Sequence, residues 1–445
     1  MDIIEKALQK TTDTKALIIG KGAMARTPEM FRQLFGSSRA VVVAHRATWE
    51  AAGKEVYGYL LNSGVPMDDP FIFEDPDMFA QWSCLEELEA YLKDRDVIAI
   101  AVGSGVINDL TKLVSSRLGR KYMIVGTAAS MDGYTAFGAS ITKDGNKQTF
   151  DCPAPYGMIL DPVVAAAAPE GMSASGYADL IAKVPAGADW MIADAIGVEA
   201  IDPFSFDLVQ LPLKDSLSEP EAVAGGDVIA TEKLSKGLIM SGFAMQACKS
   251  SRPASGTEHQ FSHYWDMENL SYPSGKHVSH GFKVGIGTLV STACLEFLLQ
   301  YDIEHIDTGS CVAAWPSWEE MERNIRELFA NQSGHLSRAL SETKAKYVDR
   351  KELRREIDAF KAAWPQLKEK IREQIYPFEE VKDMLRKAGA PYEPEMICVT
   401  REKLRSTFMG IPYMRTRFNG IDIIFRLGLM DECQDYLFDG PSPVF

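Results

Sequence analysis

The sequence predicts an α/β chain of two domains, an N-terminal parallel sheet covered by helices and an all-helical C-terminal domain. Three observations predict it. Short β-rich apolar runs alternate with helix-like segments over the first 160 or so residues. Several of those runs end on glycine or at an Asp-Pro step, as strands feeding helices do. From about residue 165 onward, long segments of helical period replace the strand-like runs. The expected domains are therefore 1–165 and 166–445.

Taken in order, Ala16-Leu17-Ile18-Ile19 runs into Gly20-Lys21-Gly22, and Ala40-Val41-Val42-Val43-Ala44 precedes a helical stretch reaching about Leu61. Val97 to Val102 runs into Gly103-Ser104-Gly105 and a helical pattern from Asp109 to Leu118. Tyr122-Met123-Ile124-Val125 ends at Gly126, and Met158-Ile159-Leu160 ends at Asp161-Pro162. Near-continuous Val/Ile runs mark strands buried on both faces, the condition of a parallel sheet. Helical period then marks Ala178 to Val198 (interrupted at Pro185), Glu232 to Ala247, Val284 to Leu299, Trp318 to Leu328 and Arg350 to Lys370. The stretch 209–226, with two prolines and a Gly-Gly pair, reads as a loop-rich insertion.

A chain of 445 residues is long enough for two full hydrophobic cores, and 46% apolar with 24% charged residues is a soluble globular composition. The formal charge of −15 repels nucleic acid and anionic membrane, so neither is an expected partner. Seven scattered cysteines form no C-x-x-C pair, which argues against a disulfide framework and a cysteine-based zinc site. The N-terminus lacks the apolar run of a signal peptide, and no run of roughly 18 apolar residues suggests a membrane span. A cytoplasmic location without membrane insertion is the expectation.

Two turns are candidates for ligand binding. In 103-GSGVINDLTK-112 the glycines would let backbone approach a pyrophosphate at a helix N-terminus. The same residues also suit an ordinary tight turn; Lys112 comes too late for a Walker loop, and Asn108 replaces the third glycine of G-x-G-x-x-G. The loop 126-GTAASMDGYTAFGAS-140 is small and hydroxyl-rich with one acid, Asp132, which serves equally a cofactor, a hydroxylated substrate or a helix cap.

The histidines point to a metal. Of seven in the chain, His259, His263, His277 and His280 fall in one short stretch. His259 and His263, four apart, share a helical face on which two imidazoles can converge on one ion. The glutamate of H-E-x-x-H is absent, which excludes a zincin-type protease. Asp179, an acid on an otherwise apolar helix, is a candidate third ligand, although an acid there also complements the helix dipole.

The order G-x-G-x-x-x-D-x-x-K, T-x-x-S-x-D-G, G-x-x-D, E-H-x-x-x-H, H-G-x-x-V-G resembles the superfamily of dehydroquinate synthases, glycerol dehydrogenases and iron-containing alcohol dehydrogenases. Within it, 252-RPASGTEHQFSHYWD-266, 127-TAASMDGYTAFGAS-140 and 420-GIDIIFRLGLMDE-432 resemble the bacterial branch of the sn-glycerol-1-phosphate dehydrogenases. The resemblance spans about Ala16 to Cys433. It implies a Rossmann-like N-terminal domain and a dehydroquinate synthase-like helical C-terminal domain. It further implies NAD(P)H and one divalent ion (zinc, nickel or iron) held by Asp179, His259 and His280. Gly103, Ser104, Gly105, Asn108 and Asp109 would surround the pyrophosphate, with Thr127 and Ser130 also on the cofactor. Asp132 and His263 would contact substrate, with His263 and Asp179 as catalytic groups and His277 left at the surface. The implied reaction reduces dihydroxyacetone phosphate, a small phosphorylated three-carbon substrate, reversibly to sn-glycerol 1-phosphate in a homo-oligomer. Lys183 and Lys283 are the cations nearest these motifs for its phosphate.

Two departures qualify the resemblance. The end of the second strand carries His45-Arg46 in place of an acid, so Arg46 would accept a 2′-phosphate and NADPH would serve at least as well as NADH. Phe282-Lys283 follows His280-Gly281 where the family often has glutamate. The rival readings are a polyol dehydrogenase acting on an unphosphorylated substrate, a dehydroquinate-synthase-like lyase, and a catalytically silent metal- and nucleotide-binding protein.

Overall fold

The computed structural model describes residues 3–169, 171–441 and 443–445. They form two compact units. One comprises the chain up to Leu180 together with Asp207–Ser251, the other Ile181–Phe206 together with Arg252–Phe445.

The first unit is built on six parallel strands: β1 (Ala16–Ile19), β2 (Ala40–His45), β3 (Phe71–Phe73), β4 (Ile98–Gly103), β5 (Tyr122–Gly126) and β8 (Gly157–Leu160), in the order β1-β8-β5-β4-β2-β3. Val41 to Ala44 and Ile100 to Val102 have no exposed surface, so the central strands are covered on both faces. One of those faces packs Val42, Ala44, Ile100, Val102, Met123, Val125 and Ile159 against Met30, Phe31, Val56 and Leu60. In register, Gly103 pairs with Gly126 and Gly126 with Leu160, which brings both glycines to the carboxyl edge of the central strands. An antiparallel hairpin, β6 (Ala139–Lys143) and β7 (Asn146–Phe150), starts where the expected loop 126–140 ends.

The expected boundary at 165 falls inside this first unit. The helices Met172–Ile181 and Val228–Cys248 contribute to it because a loop of the sheet edge packs into both. A Cβ on Gly176 would overlap the carbonyl oxygen of Ala129, and one on Gly242 would overlap the Thr135 hydroxyl. Residues 209–226 are also mostly not loop: 209–216 and 220–224 lie in the helices Pro203–Ser216 and Pro220–Ala224. Leu208, Val209, Leu213 and Leu217 are at most 3% exposed and supply an apolar stripe that holds the helix despite the internal Pro212. The interruption expected at Pro185 is present three residues earlier: one helix ends at Ile181 and the next, Lys183–Ala195, carries Pro185 in its first turn, where the missing N–H costs nothing.

The second unit is helical; among its described residues there is no strand, only an isolated bridge between Ser271 and His277. Its core contains Phe261, Trp265, Phe360 and Trp364. The helix His280–Gln300 has the length and apolarity to cross a membrane, with mean hydropathy 1.5, yet 83% of that window is buried, as in a core helix.

Candidate active site

In the first unit, β4 ends at Gly103, Ser104 caps the helix Gly105–Arg117 without a side-chain bond, and Met131 lies over Gly105. The first N–H groups of such a helix have no intrahelical acceptor and can meet an anion. The neighbouring loop is anchored by backbone: Thr127 N–H donates to Gly103 O at 3.1 Å. Beneath it, the fully buried Lys112 ammonium donates to the carbonyls of Gly133, Ala136 and Gly138 at 3.1, 2.9 and 2.9 Å. A buried cation is tolerable only when its donors are used, and these three are. Asn108 and Asp109, expected around the pyrophosphate, turn their side chains inward. Asn108 accepts the Tyr122 hydroxyl at 3.0 Å, and Asp109 accepts the Ser140 N–H at 3.1 Å. Thr127 is buried, while Ser130 is half-buried in the loop.

The acids of this unit are linked. Asp179, fully buried on Met172–Ile181, accepts the Asp132 N–H on Oδ2 at 3.1 Å. Asp132 in turn accepts the Ser241 hydroxyl at 2.9 Å. Loop and carboxylate therefore hold each other's orientation.

At the end of β2, Arg46 is not an open cation. Its guanidinium forms a two-pronged pair with Glu74, which follows β3, and lies 3.7 Å from Glu50. β2 and β3 are adjacent, with His45 opposite Phe73, so the sheet supplies at Glu74 the acid that β2 lacks. The sequence reading missed this residue because only strand pairing brings it there.

In the second unit, His259 and His263 lie one turn apart on Thr257–Met267, and His280 opens His280–Gln300 behind the Ser279 cap. The two helices pack closely; a Cβ on Gly287 would overlap the Glu258 carbonyl oxygen. The His259 and His280 ring centres are 5.3 Å apart, and those of His259 and His263 are 6.4 Å apart. His259 Nδ1 meets Glu258 Oε1 at 2.7 Å, and His280 Nδ1 meets Ser262 Oγ at 3.2 Å. His277 is exposed, against Ser271.

Burial, and then the positive charge of Arg415, hold the His263 pKa well below the ordinary value, so its imidazole is neutral at pH 7. Arg415 itself is half-buried and donates to Ser255 Oγ at 2.9 Å. Neither lysine expected at a phosphate is open to one. Lys183 has no exposed surface and acts electrostatically on Glu258, while Lys283 forms a short ion pair with Asp266. Behind the histidines Asp189 and Glu258 are both fully buried, and burial followed by Glu258 raises the Asp189 pKa to about 7.

Residues 18–169 match the family model described as iron-containing alcohol dehydrogenase. The chain is 34% identical to a glycerol-1-phosphate dehydrogenase [NAD(P)+] of Pyrococcus furiosus, over 62% of this chain and 77% of the relative. It is 31% identical to one of Halalkalibacterium halodurans, over 62% of this chain and 69% of the relative. The chain belongs to the glycerol-1-phosphate dehydrogenase family. Members of this family are oxidoreductases, and this chain is one. Solved structures agree on the fold. A glycerol dehydrogenase from Schizosaccharomyces pombe matches with TM-score 0.60 at 17% identity, covering 96% of this chain and 91% of that one. A sulfoacetaldehyde reductase from Bifidobacterium kashiwanohense in complex with NAD+ matches with TM-score 0.62 at 14% identity, covering 96% and 98%. Among residues conspicuous in this family member's structure, Arg415 drew no attention in the sequence, and Glu258 entered only as the first letter of E-H-x-x-x-H, with no role of its own. An arginine more than 150 residues after that motif carries no spacing signal.

Proposed function

We propose that the chain reduces dihydroxyacetone phosphate to sn-glycerol 1-phosphate, reversibly, with NAD(P)H and one divalent ion held by Asp179, His259 and His280. The observation that carries the reading is the paired imidazoles, 5.3 Å apart between ring centres, each with Nδ1 engaged by a neighbouring side chain. Two such nitrogens with a buried carboxylate make an N,N,O donor set of the kind that zinc, nickel and iron(II) accept while keeping positions open to substrate. When bound, the ion supplies Lewis acidity and the nicotinamide supplies hydride.

The chain's own groups do the rest. The loop 127–138 and the Gly105–Arg117 helix N-terminus bind cofactor through backbone, and the loop contributes Asp132 to the substrate. His263, neutral at pH 7, would hydrogen-bond the hydroxyl formed in the reduction and relay a solvent proton to it, giving a proton from one ring nitrogen as the other takes one up from water. We assign the substrate phosphate to Arg415, half-buried and electrostatically felt at His263, in place of Lys183 and Lys283. A guanidinium suits this task because it offers a planar pair of donors to phosphate oxygens. The Arg46–Glu74 pair leaves both nicotinamide cofactors acceptable, since an exposed, solvent-screened ion pair holds its partners only weakly.

The test is NAD(P)H oxidation followed by absorbance with dihydroxyacetone phosphate, dihydroxyacetone and no substrate, after chelation and reconstitution with each metal. Turnover restricted to the phosphorylated ketone supports the proposal. Equal turnover of dihydroxyacetone makes the chain a polyol dehydrogenase, and silence of the metal-loaded protein leaves a binding protein.

A further inference from the structure

Glu258 occupies a costly position. It has no exposed surface, and a carboxylate taken out of water is retained only where its bonds repay the loss. Its Oε1 accepts the Gly256 N–H at 2.6 Å and meets His259 Nδ1 at 2.7 Å, while Oε2 has no hydrogen-bond partner among the described residues. All its hydrogen bonding therefore converges on one oxygen, and half of it is spent on a histidine. An ordinary helix-start role would be met by the Gly256 contact alone. A carboxylate on Nδ1 does something else: it keeps the proton there, leaves the lone pair on Nε2, and makes that nitrogen more basic. The other histidine is backed differently, by the neutral Ser262 hydroxyl at 3.2 Å.

We propose that Glu258 is a positioning residue that fixes His259 as the Nδ1–H tautomer and strengthens its Nε2 as a metal donor, and that the two histidines are unequal ligands for this reason. The inference rests on the metal site proposed above. Glu258→Gln keeps the size and one accepting oxygen, removes the charge and puts an NH2 in place of the other oxygen. Zinc(II) affinity, measured by competition with a chromophoric chelator on the full-length protein, is expected to fall ten- to a hundredfold. The melting temperature of the metal-free protein should change little. Ser262→Ala should weaken zinc(II) binding by a smaller factor. Zinc(II) affinity within twofold of the parent, with a lowered melting temperature, overturns the inference and leaves Glu258 a structural residue. A parent that binds no zinc(II), nickel(II) or iron(II) sinks the metal site itself, a different outcome read from the same titration. A second measurement needs no variant. In metal-free parent protein, long-range ¹H–¹⁵N spectra should show His259 protonated on Nδ1; an Nε2–H tautomer overturns the inference.

Discussion

The two units offer ligands different kinds of surface. In the sheet unit the candidate contacts are mostly backbone, namely a helix N-terminus after Gly103 and a loop wedged over Gly176 and Gly242. In the helical unit they are ionisable side chains, the buried His259 and the half-buried His263, His280 and Arg415, with the buried Glu258 and Asp189 behind them. Backbone sites depend on space, and space is created by omitting side chains. Side-chain sites depend on charge balance, which is set by neighbours distant in sequence. Substitutions should therefore act differently in the two units, by shape in one and by charge in the other.

The largest effect should come from the charge-based unit. His280→Ala should lower kcat/KM by roughly 10³-fold or more and abolish stoichiometric metal, since Lewis-acid stabilisation is worth several kcal/mol. Retained metal by elemental analysis would remove His280 from the ligand set. His263→Asn should cost about 10²-fold in kcat with metal content unchanged, the magnitude of a lost proton-transfer partner. Lost metal instead would turn His263 into a ligand.

In the shape-based unit, Gly176→Ala must push the Ala129 carbonyl aside, at about 1–3 kcal/mol of stability, and should raise KM for the nicotinamide more than for the ketone. Equal changes in both would unlink the loop from the cofactor. Asp189 gives a pH signature. Its folded pKa of about 7 lies above the unfolded value, so the stability it contributes is fully present below about pH 4 and is lost as pH rises through 7. The expected slope is at most about 1.4 kcal/mol per pH unit, and Asp189→Asn should flatten it in denaturant titrations at pH 5, 6 and 7. The smallest effect belongs to Glu74→Gln, which releases Arg46 and should raise the NADPH/NADH ratio of kcat/KM several-fold. A ratio that does not move would show that Arg46 does not reach the cofactor.

The same contrast explains what could be read from the sequence. The strands announced themselves through Val41 to Ala44 and Ile98 to Val102, because a strand buried on both faces needs an unbroken apolar run. The glycines at 103 and 126 marked the sheet edge for the same local reason. The histidine cluster was legible as a cluster, and its division into roles came from resemblance. What escaped were facts of pairing. Glu74 faces Arg46 only through β2 and β3, Lys183 and Lys283 looked like open cations until burial and Asp266 claimed them, and Pro212 hid a helix whose buried stripe was in plain view.

Lys112 shows how much one such pairing can decide. Three carbonyls converge on its single ammonium, and they belong to the loop that carries Asp132. No other side chain substitutes: methionine donates nothing, and the arginine fork cannot aim three bonds from one point. The loop is thus cast around a fixed post before any ligand arrives, so binding need not spend entropy on shaping it. Such a site discriminates among ligands as a rigid mould does, by refusing what does not fit.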